Sequence, residues 1–470
     1  MAATSFAVGT AGLVTPSAQK MTLASSYLDI RNNGWTQQYL PELYEAEVEK
    51  YGDRSISGFI QMLGAEMPMA SDQVIWSEQG RLHLAYNGQI NPVTGVVDTI
   101  TGIDSGSTEA HAVRKGATVV AVVNSVVFKA FVKVGAETST SQLTIKPYGA
   151  ENVDDLSGIA TTDNQVIKFF VYGSEFKKGT ASMTESIEPN FLSLTNKPMI
   201  IKDHFEINGS DAGQIGWIEV SGESGQNGYL WYLKSQGDTN KRFEDYLEMS
   251  VVEAEKSDST ADSDVPDGSE GLLSAIGNRG IVGTGFFDDA SDPVLASFDT
   301  LLTNLDEQGA IEENMLFLDR GANLGIDDML GAVNANFSGG TSFGVFNNSQ
   351  DMALNLGFSG FRRGSYDFYK TDWKYLNNKS TRGLVGGLEG VLVPAGTSSV
   401  YDQNLGQNVK RPFLHVRYRA SEADDRKLKT WITGSVGGAA TIGDDKMEVH
   451  YLSERCLVVQ AANNFVRFDS

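Results

Sequence analysis

Apolar residues over 29–64 recur at helical spacing, with Leu40, Leu43, Tyr44, Val48 and Tyr51 on one face and Pro41 suited to a first turn. From residue 74 the period changes. The stretches 76–86, 118–123, 126–134 and 142–148 are rich in Val, Phe, Thr and Ile, with Asn87-Gly88, Asn124-Ser125 and Gly135-Ala136 between them as turn residues. That pattern predicts a small antiparallel β-unit inserted between helical parts. One more strand is expected over 166–172, then irregular chain through Pro198.

The strongest helical pattern spans 229–255, where Phe243, Tyr246, Leu247, Val251 and Ala254 share a face and Asp245 and Glu248 lie off it. At 1.5 Å per residue such a helix is about 40 Å long, and Gly237 is the place for a kink. An acidic Ser/Asp-rich loop broken by Pro266 follows over 257–270. Beyond it the pattern becomes α/β. Asp292-Pro293 opens a helix carrying Leu295, Phe298, Leu301, Leu302 and Leu305, and Gly309 closes it. A short strand is expected at 315–318 and a helix at 326–333. Strands at 340–347 and 366–373 flank a short helix at 352–356. The end of the chain reads as strands at 390–394, 413–418, 447–452 and 456–460.

Composition narrows the function classes. The chain has 470 residues, with 41% apolar and 21% charged side chains, which is the balance of a folded protein. Its formal charge of −23 disfavours a protein built to grip nucleic-acid phosphates or an anionic membrane. The charge is uneven. Residues 361–470 carry sixteen Lys/Arg against twelve Asp/Glu, a balance of +4, so −27 falls on residues 1–360. Residues 1–28 are Ala/Ser/Thr/Gly-rich with Lys20 the only ionised side chain, and read as an arm. They lack the basic start and apolar run of a secretory signal, and no apolar run reaches membrane-spanning length, so a soluble protein made in a cytoplasm is expected.

Candidate chemistry is sparse. The single cysteine, Cys456, excludes an internal disulfide, and its Arg-Cys-Leu-Val-Val setting is that of a structural thiol in a buried strand. His83, His111, His204, His415 and His450 are too far apart for a local metal or triad motif, and His415 and His450 read as packed strand residues. Residues 280–285 contain three glycines but neither GxGxxG spacing nor a Walker lysine, and are expected to be a loop. The Asp258–Asp267 and Asp288-Asp289…Asp292 clusters lack the EF-hand order and read as solvated acidic loops. Arg362 and Arg363 read as a surface or interface pair. No catalytic, cofactor-binding or metal-binding constellation emerges, so the protein is expected not to be an enzyme and to need no cofactor.

Several stretches together resemble the major capsid protein of tailed bacteriophages, in particular the long versions of large marine and crAss-like phages. They are Gln214-Ile-Gly-Trp-Ile218 leading into Gly228-Tyr-Leu-Trp-Tyr-Leu233, and Arg242-Phe-Glu-Asp-Tyr-Leu-Glu248. Asp299-Thr-Leu-Leu302…Leu305-Asp306 and Glu313-Asn-Met-Leu-Phe317 follow, then the polar loop Asn377–Arg382 and the ending Ala461-Ala-Asn-Asn-Phe-Val466. The resemblance covers most of residues 200–470 and little of the first 200.

What the resemblance implies is an α+β fold of the Hong Kong-97 type. Its parts would be an arm at 1–28, a helical segment at 29–73, and an E-loop region with a β-rich insertion at 74–215. A peripheral domain with the spine helix at 216–290, an axial α/β domain at 291–410 and peripheral return strands at 411–470 would complete it. The implied partners are other copies of the chain in hexamers and pentamers, with portal, scaffold and decoration proteins of the same virion, and DNA enclosed without sequence-specific binding. The implied location is the virion, assembled in the host cytoplasm. No charged helical stretch precedes residue 29 to act as a scaffold segment, and no residue matches the crosslinking pair of some relatives. Two other classes stay open on the residues alone: a different β-rich virion or surface protein (tail, adhesin or surface layer), and a carboxylate-based hydrolase.

Overall fold

A computed structural model describes residues 66–470 except 104–105, 181–185, 189–190, 214–219, 222–226, 229–230, 258–263, 265, 288–293, 310, 337–358, 403–406 and 437–440. The expected helix at 29–64, strand at 340–347 and helix at 352–356 lie outside the described residues. The fold is mixed α+β and rich in strands, and it divides into two compact units, Trp76–Leu194 and the remainder.

β1 (Glu66–Met69) belongs to the larger unit. β2 (Val74–Gln79) then pairs with β9 (Phe191–Asn196) as a two-stranded ribbon through which the chain enters and leaves the smaller unit. Between them lie β3 (Ala85–Asn91), β4 (Val96–Gly102), β5 (Ala117–Val123), β6 (Val126–Val134), β7 (Leu143–Pro147) and β8 (Gln165–Ser174). These close into an antiparallel six-stranded barrel in the order β3-β4-β7-β6-β5-β8. Alternate residues such as Val119, Ala121, Val123, Val132, Ile145 and Ile167 point inward and fill it. The expected β-unit is therefore present, with antiparallel strands. Asn124 (φ 48°) and Ser125 (φ 68°) form the expected two-residue turn between β5 and β6. Asn87-Gly88 is not a turn. Gly88 lies inside β3 where the register to β4 shifts, and a Cβ there would come within 3.0 Å of the Asp98 carbonyl. The chain before Pro198 is likewise not wholly irregular, since β9 occupies part of it.

Among the described residues the larger unit has two large sheets. In the first, β10 (Met199–Asn208) pairs with a late strand, β22 (Lys446–Val459). On its other side β22 takes β21 (Lys429–Gly434) and then β20 (Leu414–Arg419), and β1 completes the sheet parallel to β20. The two strands expected at 447–452 and 456–460 are thus one strand of fourteen residues. The polar Ser453-Glu454-Arg455 that separates them in sequence is buried within it.

Helix α1 (Trp231–Glu253) runs unbroken through Gly237. Phe243 and Leu247 pack on Ile207, Met447, Val449 and Tyr451 of the sheet, while Val251 and Val252 enter a second core with Leu272, Ile276, Trp373 and Leu457. The buried stripe widens toward 248 and 252 rather than 246. Tyr246, expected inside, is 41% exposed, and Glu248, expected outside, is 2% exposed. At 100° per residue these two positions lie on opposite sides of the Phe243–Leu247–Val251 line, so the side on which the second core sits decides between them.

After α2 (Leu272–Arg279), residues Ile281–Thr284 form β13, a strand and not the expected loop. It pairs parallel to β23 (Val466–Asp469) at the outside of a six-stranded mixed sheet ordered β13-β23-β17-β14-β16-β15. The other members are β14 (Glu313–Leu318), β15 (Ser359–Arg363), β16 (Tyr366–Asp372) and β17 (Gly390–Pro394). α3 (Val294–Gln308) ends at Gly309 (φ 117°) as expected, and α4 (Arg320–Asn336) lies in the crossover from β14 to the parallel β16. Leu316 and Leu318 join Phe298, Leu305, Ile326 and Phe368 on one face, and Phe317 joins Val391 and Val393 on the other. Both faces of β14 are covered over Met315–Leu318, which is why that stretch is continuously apolar. The short ribbons β11 (Val220–Ser221)/β12 (Asn227–Gly228) and β18 (Thr397–Asp402)/β19 (Gln407–Pro412) complete the strands.

Candidate assembly surfaces

The densest polar construction in the larger unit fastens β1 to its sheet. Arg455, 4% exposed, directs Nη1 to Glu66 at 3.5 Å, donates from Nη2 to the Lys427 carbonyl at 2.9 Å and from Nε to Ser453 Oγ at 2.9 Å. Glu66 also pairs with Lys427, and Asp72 with Arg419. Glu454, buried on the other face of β22, takes Arg426 at 3.0 Å and Arg419 at 3.6 Å. Desolvation disfavours the charge on Arg455 and lowers its pKa, so only good partners make its burial tolerable. Asn196 forms a second fastening. Its amide donates to the carbonyls of Leu457 (2.7 Å) and Glu270 (3.0 Å), and its oxygen accepts from Glu270 N (2.9 Å).

At the C-terminal end of α1, Glu253 accepts from the Tyr375 hydroxyl at 2.5 Å and from Arg382 Nη1 at 3.0 Å. Burial, and then the Glu253 hydrogen bond, raise the Tyr375 pKa, so the phenol stays protonated and donates. This anchors the polar segment 377–382, beyond which Leu384 and Val385 stand exposed. The β2/β9 ribbon also presents apolar side chains to solvent: Ile75, Phe191 and Leu192. Such surfaces suit contact with other chains.

The residues singled out from sequence are dispersed. Cys456 is buried with its Sγ 4.0 Å from Met69 Sδ, and burial pushes its thiol up to about 12, which suits a structural and unreactive group. His450 stacks on Trp431 (5.0 Å between ring centres) and faces His204, with Nε2 2.7 Å from Thr433 Oγ1. His111 accepts from Val113 N at Nδ1, leaving Nε2–H to donate to the Gln142 carbonyl at 3.0 Å. Arg363 pairs with Asp299 at 2.5 Å and Arg362 with Asp367 at 3.7 Å, both within the larger unit. His83 lines an open cleft of about 760 Å³ in the smaller unit, beside Arg81, Tyr86 and Glu109. Most of the acidic clusters lie outside the described residues. Among the described residues no three His, Cys, Asp or Glu are gathered to hold a metal ion. No described helix is long and apolar enough to cross a membrane.

His415 is buried on β20, donates from Nδ1 to the Pro412 carbonyl at 2.9 Å, and is pushed down to about 4 by desolvation. An unfolded histidine titrates near ~6.5, so between those values the unfolded chain holds a proton that the folded chain refuses. Folding stability should therefore fall as pH drops through this window, by about 3 kcal/mol once both states are protonated. Denaturant unfolding measured across that range should show the slope, reduced in His415→Gln. An equal slope in the variant would show that His415 titrates normally.

No family model and no curated protein matches this sequence. Solved structures give faint likenesses. A chain from Gordonia phage Cozz is similar at 10% identity and TM-score 0.42, over 97% of this chain and 98% of that one. A chain from the capsid of a native GTA particle is similar at 9% identity and TM-score 0.38, over 95% and 99%. One from Mycobacterium phage Bobi is similar at 8% identity and TM-score 0.38, over 91% and 95%. At TM-scores this low, the chain's own architecture has to carry any reading of function.

Proposed function

We propose that this protein is the shell subunit of a tailed-phage capsid of the Hong Kong-97 type, assembling as hexamers and pentamers around double-stranded DNA. The observation that carries the reading is the seating of α1. A 23-residue helix lies on a sheet built from β10, ahead of it, and β22, near the other end of the sequence. A separate α/β sheet follows the helix, and a ribbon-borne barrel precedes it. That order is the one the sequence resemblance implies. On this reading 1–28 is the arm, 29–73 a helical segment, and 74–215 the E-loop region with the barrel as its insertion. Residues 216–290 and 411–470 form the peripheral domain, and 291–410 the axial domain.

A shell needs large heterologous contacts that close into rings, and obligate interfaces commonly bury about 2,000–5,000 Å². The apolar side chains exposed on the ribbon and at Leu384-Val385 supply area of that kind. The role is structural and non-enzymatic, with the chain residing in the virion after assembly in the host cytoplasm. Its partners are its own copies, with portal, scaffold and decoration proteins of the same virion. The acidic balance suits a container that encloses DNA without gripping it. Electron microscopy of the purified protein should show closed icosahedral shells. Fibres, plates or persistent monomers would overturn the proposal.

A further inference from the structure

One outer wall of the barrel carries basic side chains without acidic ones. Residues 76–194 carry nine Lys/Arg and twelve Asp/Glu, a balance of −3, so −20 of the total −23 lies outside them. Within the unit every basic residue borne by a barrel strand, four of the nine, lies on one wall. The four consecutive strands β7, β6, β5 and β8 contain Lys146, Lys129, Lys133 and Lys168, all exposed, and not one Asp or Glu. None of these lysines makes an ion pair among the described residues. Glu175, just past β8, is engaged by the Tyr148 hydroxyl at 2.5 Å.

The same wall is apolar where a solvated barrel would be polar. Outward positions on β8 read Val166, Lys168, Phe170, Tyr172, and those on β6 read Val127, Lys129, Phe131, Lys133. Val127 is 68% exposed, Val166 62%, Tyr172 49% and Phe170 48%. The strand register brings them together. Lys168 lies opposite Val122 and Val122 opposite Val127, while Phe170 lies opposite Val120 and Val120 opposite Lys129. Lys146 sits beside Phe131. Lys129, Lys146 and Lys168 therefore each stand next to an apolar side chain, giving a surface that rewards a partner bringing both carboxylates and a hydrophobic ridge.

We infer that this wall is a docking surface for the acidic part of a second copy of this chain. The inference rests on the shell reading, since it needs copies that assemble. Charge complementarity selects the occupant: the chain outside the barrel carries the −20 that matches an unpaired basic wall. A nucleic acid is the weaker fit. Four lysines without an arginine neutralise few phosphates.

The test compares the full-length wild-type chain with K129E/K146E/K168E and with V127S/F170S. All five substituted side chains are exposed, so circular dichroism and thermal melting of the unassembled chains should match wild type. Assembly, followed by sedimentation and electron microscopy against protein concentration, should need about tenfold more protein in either variant. Added salt should weaken wild-type assembly more than that of the lysine variant. Wild-type particles with variants that assemble at the same concentration would overturn the docking surface and leave the shell reading standing. Wild-type chains that never assemble would overturn both. Tight, salt-sensitive binding of wild type to single-stranded DNA, lost in the lysine variant, would reassign the wall to nucleic acid.

Discussion

Phe243→Ala should destabilise the larger unit by about 3–5 kcal/mol and abolish particle formation at ordinary expression levels. Phe243 is fully buried, 5.7 Å ring to ring from Tyr451, with Ile207, Met447 and Val449 around it. Truncation leaves a cavity between a long helix and a long strand, neither of which can move inward without breaking pairing along its whole length. α1 would then lose its seat between the two cores that it bridges. Guanidinium unfolding and particle yield both check this, and Tyr246→Ala is the control on the exposed side of the same helix, expected within about 0.5 kcal/mol of wild type. Equal behaviour of the two variants would show that the helix is seated differently.

Glu66→Gln should cost about 3 kcal/mol, because removing one partner leaves a buried charge uncompensated. Arg455 would keep its hydrogen bonds to Ser453 and the Lys427 carbonyl but lose its only carboxylate among the ion pairs described for it. Lys427 would lose the same partner. Since β1 is held to β20 by four register pairs, Glu66↔Val416 through Met69↔Arg419, the loss should free this strand before the sheet melts. Hydrogen exchange at Met67 and Met69 should accelerate more than exchange in β22. Uniform acceleration across the sheet would mean that the ion cluster stabilises the whole unit and not this strand.

Much of the fold was legible in local pattern. The barrel strands β5 and β6 with their Asn124-Ser125 turn, the helix ending at Gly309, and the apolar run of β14 each carry their signal within a few residues. The face of α1 was legible at Phe243, Leu247 and Val251, where periodicity alone is decisive. It was not legible at Tyr246 and Glu248, which flank the stripe on either side. Which of those positions is covered depends on the second core, supplied by Leu272, Ile276 and Trp373 from later in the chain.

The polar interior was hidden for the same reason. Ser453-Glu454-Arg455 reads as a break between two strands, because a sequence window cannot see Glu66, almost four hundred residues earlier, or Arg419 and Arg426. Asn196 reads as loop until Leu457 and Glu270 come within its reach. The basic wall of the barrel is intermediate. The lysines are plain in the sequence, but that they share one wall, without an ion pair among the described residues, shows only once β7, β6, β5 and β8 stand side by side. Short-range period and composition were enough for the mixed α+β class of the fold, most of its strands and helices, and its charge. The tertiary structure alone decided which polar groups are buried, which apolar groups are left outside, and which surface carries unpaired charge. Those depend on contacts between residues far apart in the chain.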